Sequence, residues 1–241
     1  KAIAPLSQTA ETSVKPDQLT PVYVGDAEHV AWTVDMHLDA QERPVAVFSV
    51  QVNGSSTQHL RSATGMDLRY FYARYDGARW HTNPLAHAGT ELYGVESDYS
   101  GLAAIVPHRP ERVFISTNAD PVSGRPLVSS TDGRRHHEIF SGLTADGGAT
   151  WGWTPVTRNS SADNLRPIVP IGDRLGTVVM WLRGTMRTYR DYDFEIVGYV
   201  EGRTFTEDDL RSGDQLARVA AACRQLHQGP RFVNDFDMFA I

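Results

Sequence analysis

This chain of 241 residues has a single cysteine, Cys223. One thiol excludes an internal disulfide and any zinc site built on several cysteines. No apolar run comes near the roughly 18 residues of a membrane-spanning helix, so no membrane partner is expected. Basic residues are outnumbered, 23 Lys and Arg against 29 Asp and Glu, for a net charge of −6. That balance lacks the basic surface on which nucleic-acid binding depends. His81 and His87 have no partner at metal-ligand spacing, so no metal and no cofactor is expected. No signal peptide is visible; Lys1 is not a natural translation start, which is compatible with prior removal of a leader. What the chain does contain is 41% hydrophobic and 22% charged residues. That composition fits a soluble protein with a sizeable core, as one large all-β domain or two small ones.

The most constrained stretch runs from His137 to Thr157, HEIFSGLTADGGATWGWTPVT. Thr144, Asp146, Gly148, Thr150 and Trp151 follow the pattern Ser/Thr-x-Asp-x-Gly-x-Thr-Trp. In a tight hairpin, Asp146 accepts hydrogen bonds from the turn's own amides, and Gly147 and Gly148 take positive φ without Cβ strain. Trp151 then offers a large apolar surface to a neighbouring element. The pattern resembles the Asp box of the bacterial neuraminidase-repeat proteins; an ordinary Asp-Gly hairpin is the alternative. In either case the motif is structural and performs no chemistry.

Around it the chain repeats. Residues 1–21 are polar, without alternation, and read as an arm or linker. Strand-like runs follow at 31–38, 44–52, 68–75 and 79–85, then at 102–106, 112–117, 137–144 and 150–156. A third set is predicted at 168–171, 177–182, 194–200 and 203–205. Asp76-Gly77 ahead of Trp80 is a degenerate copy of the Thr144–Trp151 turn. These spacings predict an all-β fold of three four-stranded antiparallel units over about 22–88, 89–157 and 158–205. Such units are blades of a β-propeller, which closes with about 4–8 of them, so further blades from the rest of the protein or another chain are expected partners. A sandwich of twelve short strands is the alternative. Residues 206–241 predict a helix and tail: acids open it, Leu216, Val219, Ala220, Cys223 and Leu226 share one face, and Gly229-Pro230 ends it.

Longer phrases extend the likeness, among them SDYSGLAAIVPHRPERVFISTNADP and VVMWLRGTMRTYRDYDFEIVG. Over roughly residues 28–200 the chain resembles the later blades of seven-bladed polysaccharide lyases of the neuraminidase-repeat family, which act on ulvan and related uronate-containing glycans. The resemblance implies a secreted or periplasmic enzyme whose partner is an acidic polysaccharide or oligosaccharide. The catalytic His of those lyases lies in their early blades, within an Asp/Asn-x-His-type loop, and this chain has no such loop.

In an up-and-down meander the long connections fall at one end: 53–67, 86–100, 118–136, 158–166 and 183–193. Long loops on a rigid scaffold carry function. Candidate catalytic residues there are His87, Tyr189, Tyr192 and Arg166. Candidate substrate-binding residues are Arg183, Arg187, Tyr93, Tyr99 and Asn164. Arginine forks onto a carboxylate, and tyrosine both stacks on a sugar and exchanges a proton. Ordinary packing is the competing role for Tyr189 and Tyr192, bonding of nearby carbonyls for Arg166, and a structural place at a strand start for His136-His137. The expected reaction is β-elimination at a uronic acid. The alternatives are a sialidase-like glycoside hydrolase, for which Glu96 and Asp98 are the only close acids, and a propeller that binds glycan without cleaving it.

Overall fold

The computed structural model describes residues 19–52, 67–93, 98–171 and 178–200, together with Ala217 and Ala221. The chain divides into two compact units, Lys1–Gly172 with Val179–Gly198, and Asp173–Val178 with Tyr199–Ile241. The first holds nearly all the described structure and is all-β.

Its first sheet is a meander of β1 (His29–Leu38), β2 (Pro44–Val52), β3 (Asp67–Tyr75) and β4 (Trp80–Gly89). The second joins β5 (Ala103–Ile105), β6 (Arg112–Thr117), β7 (Glu138–Leu143) and β8 (Gly152–Pro155). The third has β9 (Asp163–Ile168), β10 (Val178–Thr188) and β11 (Asp191–Val200). All pairings with a resolved register are antiparallel, and neighbours in each sheet are neighbours in sequence. The β-branched and aromatic residues of PVAVFSVQV and DLRYFYARY suit central strands buried on both faces.

The sheets stack face to face. Val45, Val47, Leu68, Tyr70 and Tyr72 of the first sheet share one core with Ile105, Val113, Ile115 and Phe140 of the second. Two fully buried tyrosines fasten that contact. The Tyr70 hydroxyl lies 2.9 Å from the Ser116 carbonyl and 3.0 Å from that of Leu102, and the Tyr72 hydroxyl donates to the Pro110 carbonyl at 2.9 Å. Burial raises both phenols, Tyr72 to about 12, so both remain neutral donors. Between the second and third sheets, Ser116 Oγ donates to Asn164 O at 2.6 Å and Asn164 N–H donates to His137 O at 3.0 Å.

Turn chemistry closes one end of the stack. Thr150 N–H and Oγ1 donate to the two oxygens of Asp146 at 2.9 and 2.6 Å, and Gly148 N–H donates to Thr144 Oγ1 at 3.0 Å. These bonds hold the Asp146 carboxyl well below its ordinary value. Gly148 has φ +100, and a Cβ there would strike the Tyr72 ring. The glycine therefore lets this turn close onto the preceding sheet. Trp151 also reaches that sheet, edge-on to Tyr72 with centroids 5.1 Å apart. The ring is half-buried there. The degenerate copy works alike: Asp76 Oδ1 accepts from Ala78 and Arg79 N–H at 2.7 and 2.9 Å, with His81 Nε2 2.6 Å from Oδ2. In the β1–β2 turn, Asp39 Oδ1 accepts from Gln41 and Arg43 N–H, both at 2.9 Å, and Oδ2 from the guanidinium groups of Arg43 and Arg74. Burial opposes charge on Asp39, but those bonds outweigh it and hold the carboxyl far below its ordinary value.

The first two units match the predicted strands closely, and the third does not. Its first strand begins at Asp163, where 168 was predicted, and 183–193 is no loop. β10 and β11 continue through it as a hairpin turning at Tyr189-Arg190. A two-stranded ribbon beyond the stack exposes both faces, so its residues are polar on both sides and the alternation that marks a half-buried strand is missing. The predicted strand at 203–205 and nearly all of the 206–241 helix lie outside the described residues; Ala217 and Ala221 are helical.

Two outcomes follow. Trp151→Ala is expected to lower the unfolding free energy by about 2–3 kcal/mol, below the usual cost of truncating a fully buried aromatic, as measured by urea titration. Asp39→Asn is expected to cost about 2 kcal/mol at neutral pH, typical of hydrogen bonds to a charged group. Because the folded carboxyl is depressed, its contribution is complete above the unfolded value near pH 4 and is lost as pH falls through the folded one. The unfolding midpoints of wild type and Asp39→Asn should therefore converge as the solution is acidified below about pH 4.

Candidate functional site

The end opposite these turns carries the connections β4–β5, β6–β7 and β8–β9 and the tip of the β10–β11 hairpin; the β2–β3 connection lies outside the described residues. The hairpin tip brings Tyr189 against the β4–β5 connection. Its ring lies 5.6 Å from Tyr93, edge-on, and 5.5 Å from Tyr99, tilted. Leu92 N–H donates to Tyr99 O at 3.0 Å, which sets the two loop tyrosines side by side. Tyr189 is 49% exposed, whereas Tyr93 and Tyr99 are half-buried and the Tyr93 hydroxyl is buried, so the cluster meets solvent chiefly through Tyr189.

Two residues beyond Tyr99, the Gly101 carbonyl accepts from Arg166 N–H at 2.8 Å. Arg166 has φ +55 and is exposed, and the neighbouring Leu102 has φ +69. Side chains with a Cβ rarely hold left-handed backbone, and two such residues at one junction mark strain imposed by the surrounding structure. The strain sets the path by which the guanidinium leaves β9. The Arg166 side chain has no hydrogen bond or ion pair among the described residues.

The other candidates are placed differently. Asn164 is 1% exposed and serves as a structural hub, so it is withdrawn from substrate binding. Its amide NH2 donates to His137 O at 3.0 Å and Ser160 Oγ at 2.9 Å, while its Oδ1 accepts from Trp181 Nε1 at 2.9 Å. Arg183 pairs across the hairpin with Glu195 at 2.6 Å, and Arg187 spans the turn to Asp191 at 2.7 Å. Neither guanidinium is an unoccupied fork, because the hairpin brings an acid opposite each. Tyr192 stacks on Phe194 at 5.8 Å, on the hairpin's own surface. His87 sits on β4 with Nδ1 3.9 Å from Asp67 Oδ1, and its ring packs under Gly124 of the β6–β7 connection. Asp98 is half-buried beside the tyrosine loop, and Glu96 lies outside the described residues.

One network was not foreseen. His136 Nε2 lies 2.8 Å from Asp132 Oδ2, and Asp163 Oδ1 lies 3.5 Å from Nδ1 of both His136 and His137. Asp163 Oδ1 also accepts from His137 N–H at 2.9 Å. Burial opposes ionisation of Asp163, yet the bonds and charge of His137 and His136 hold its carboxyl below the ordinary value. The network ties the β6–β7 connection and the start of β7 to the start of β9. Its acids stand 4 and 27 positions from His136, so only the pairing of sheets reveals it.

No family model, curated protein or solved structure matches this chain. The site therefore stands on its own geometry. Among the described residues no group of three or more His, Cys, Asp or Glu is placed to hold a metal ion, and no helix is long and apolar enough to cross a membrane.

Two positions on β9, separated by one residue, should thus respond differently. Asn164→Ala is expected to destabilise by about 2–3 kcal/mol, since it leaves the buried Trp181 indole N–H without its acceptor and removes the side-chain bonds to His137 O and Ser160 Oγ. Arg166→Ala is expected to stay within about 0.5 kcal/mol of wild type, as an exposed side chain without partners among the described residues. Thermal melts of the two variants check the contrast.

Proposed function

We propose that the three sheets are blades of a β-propeller that binds an acidic glycan at its loop-rich end and cleaves it by β-elimination. Contacts between β1 and β5 and between β5 and β9 support the blade reading: the first strand of each sheet neighbours the first strand of the next, as around an axis. The observation that carries the functional reading is the meeting of Tyr93, Tyr99 and Tyr189 from two separate segments, with the strained and exposed Arg166, unpaired among the described residues, bonded through its backbone to Gly101, two residues on from Tyr99. Tyrosine rings give a sugar a stacking face, and a guanidinium grips a uronate carboxylate with two parallel bonds.

In the proposed reaction, Arg166 binds the carboxylate and stabilises the charge that builds on it as the adjacent C–H proton is removed. The electron pair of that C–H bond becomes the new carbon–carbon double bond while the neighbouring glycosidic C–O bond breaks. Tyr189, the most exposed ring of the cluster, acts as the phenolate base that takes the C–H proton and then delivers it to the departing glycosidic oxygen, so the phenolate is regenerated. His87 is reassigned to holding the β6–β7 connection in place, and Arg183 and Arg187 to bracing the hairpin. The substrate places this activity outside the cytoplasm, in a secreted or periplasmic protein.

The test is ultraviolet absorbance of the unsaturated uronate product, using uronate-containing polysaccharides as substrates. Arg166→Ala is expected to lower kcat/KM by about 10²–10³, the usual cost of removing a group that stabilises transition-state charge. Tyr189→Phe should remove most turnover while KM changes little, and His87→Ala should remain active. Reducing sugar released without the absorbing product would overturn elimination in favour of hydrolysis. Binding without any cleavage would leave a glycan-recognition surface only.

A further inference from the structure

A cavity of about 380 Å³ is lined by the β6–β7 connection, β7, the end of β8 and the connection that follows it. All of its lining residues are described ones and belong to the first unit. The volume falls within the usual range of small-molecule sites, about 300–1,000 Å³. Its walls are apolar, with Leu127 and Val128 from one connection, Pro155 from β8 and the buried Phe140 from β7. The two connections are tied to each other. Asn159 Oδ1 accepts from Ser130 N–H at 3.0 Å, and Thr131 Oγ1 donates to Asn159 O at 2.8 Å. Asn159 holds φ +53, a conformation that these contacts maintain, so the space is formed before any ligand arrives.

The polar side chains of the lining have protons to give. Ser129 Oγ accepts from Thr131 N–H at 3.1 Å and Thr157 Oγ1 from Ile139 N–H at 2.8 Å, which leaves each hydroxyl proton for another partner. The side-chain oxygen of Asn159 is engaged, and its NH2 remains to donate. Arg158 is exposed, and its guanidinium has no hydrogen bond or ion pair among the described residues. The acid of the lining, Glu138, is 5% exposed, and its two oxygens already accept from Ser160 N–H and Oγ at 2.8 and 2.7 Å. Such a lining matches an acceptor-rich anion with an apolar ring face, whereas a cation would meet a carboxylate that is already occupied.

We propose that this cavity is a second sugar site. It takes a uronic acid with the carboxylate on Arg158, hydroxyls on Ser129, Thr157 and Asn159, and the C–H face against Leu127 and Pro155. The tyrosine cluster is built by the β4–β5 connection and the hairpin tip, so the two sites share no side chain. The choice of a uronate among ring-bearing carboxylates rests on the glycan reading above; the demand for an anion with an apolar face rests on the cavity alone. A glycan chain held here at one residue is kept near the site of cleavage, which raises occupancy there without any new contact.

Backbone amide shifts of the isotope-labelled full chain test it, in separate titrations with glucuronate and with glucose to millimolar concentrations. Glucuronate is expected to move the amides of Ser129, Thr157 and Asn159, and glucose to leave them in place. Arg158→Ala should weaken the glucuronate response by about tenfold or more, the usual loss for a hydrogen bond to a charged group. Val128→Trp, which fills the cavity from an exposed position, should abolish it. Both variants should keep the wild-type melting temperature, and Arg166→Ala should leave the response at the cavity intact. Cavity amides that ignore glucuronate, that answer glucose equally, or that answer in Arg158→Ala as in wild type would overturn the proposal. Glucuronate shifts at Tyr189 and Arg166 without shifts at the cavity would overturn the second site alone. Shifts at the cavity without any at Tyr189 or Arg166 would instead overturn the uronate reading of the tyrosine cluster and leave the second site standing.

Discussion

The packing of Tyr70 and Tyr72 into the second sheet is the contact on which the rest of the structure depends. Both rings are removed from water, and each hydroxyl still reaches a backbone oxygen of the neighbouring sheet. A buried phenol is tolerable only when so satisfied, so the hydroxyls act as alignment pins. If the first sheet slid along the second by one residue, both would lose their acceptors. Tyr70 also sets where the β4–β5 connection ends, because its hydroxyl touches Ser100 and Leu102. The tyrosine cluster and Arg166 hang from that same segment.

The two ends of the stack are built on different principles. At one end Asp39, Asp76 and Asp146 each gather backbone amides within a few residues, and the turns are complete in themselves. At the other end the connections are secured by distant elements: Asp163 holds His136 and His137, and Glu138 accepts from Ser160 at 2.7 Å. The local staples shape the turns of the first end before any contact with the neighbouring sheet, on which Gly148 and Trp151 then close. The second end exists only when the sheets are stacked, and there the backbone is strained at Leu102 and Arg166. Strain of this kind survives only where surrounding contacts outweigh it.

Much of this was legible in the chain itself. Alternation in the first two units, the Asp-Gly turns and the separation of short from long connections are local properties, and the strands at 44–52 and 112–117 were read to the residue. Tyr93, Tyr99, Tyr189 and Arg166 could be named because their types suit a sugar acid and they lie on long connections or beside one. Whether they meet was not legible. Arg183 and Arg187 have the same chemistry as Arg166, yet the hairpin sets Glu195 and Asp191 opposite them, and among the described residues no acid stands opposite Arg166. Asn164 belongs to the same loop-rich end and is sealed by Trp181.

By itself the sequence determined which residues pair with their near neighbours: strands, staples and turns, because a two-residue period and an Asp beside a Gly act over a few bonds. Only the tertiary structure decided which side chains keep their valences open toward solvent. That outcome depends on which sheet covers which face and which acid a strand brings opposite each base. Such distances are set by the stacking of elements far apart in the chain, where neither period nor spacing carries information.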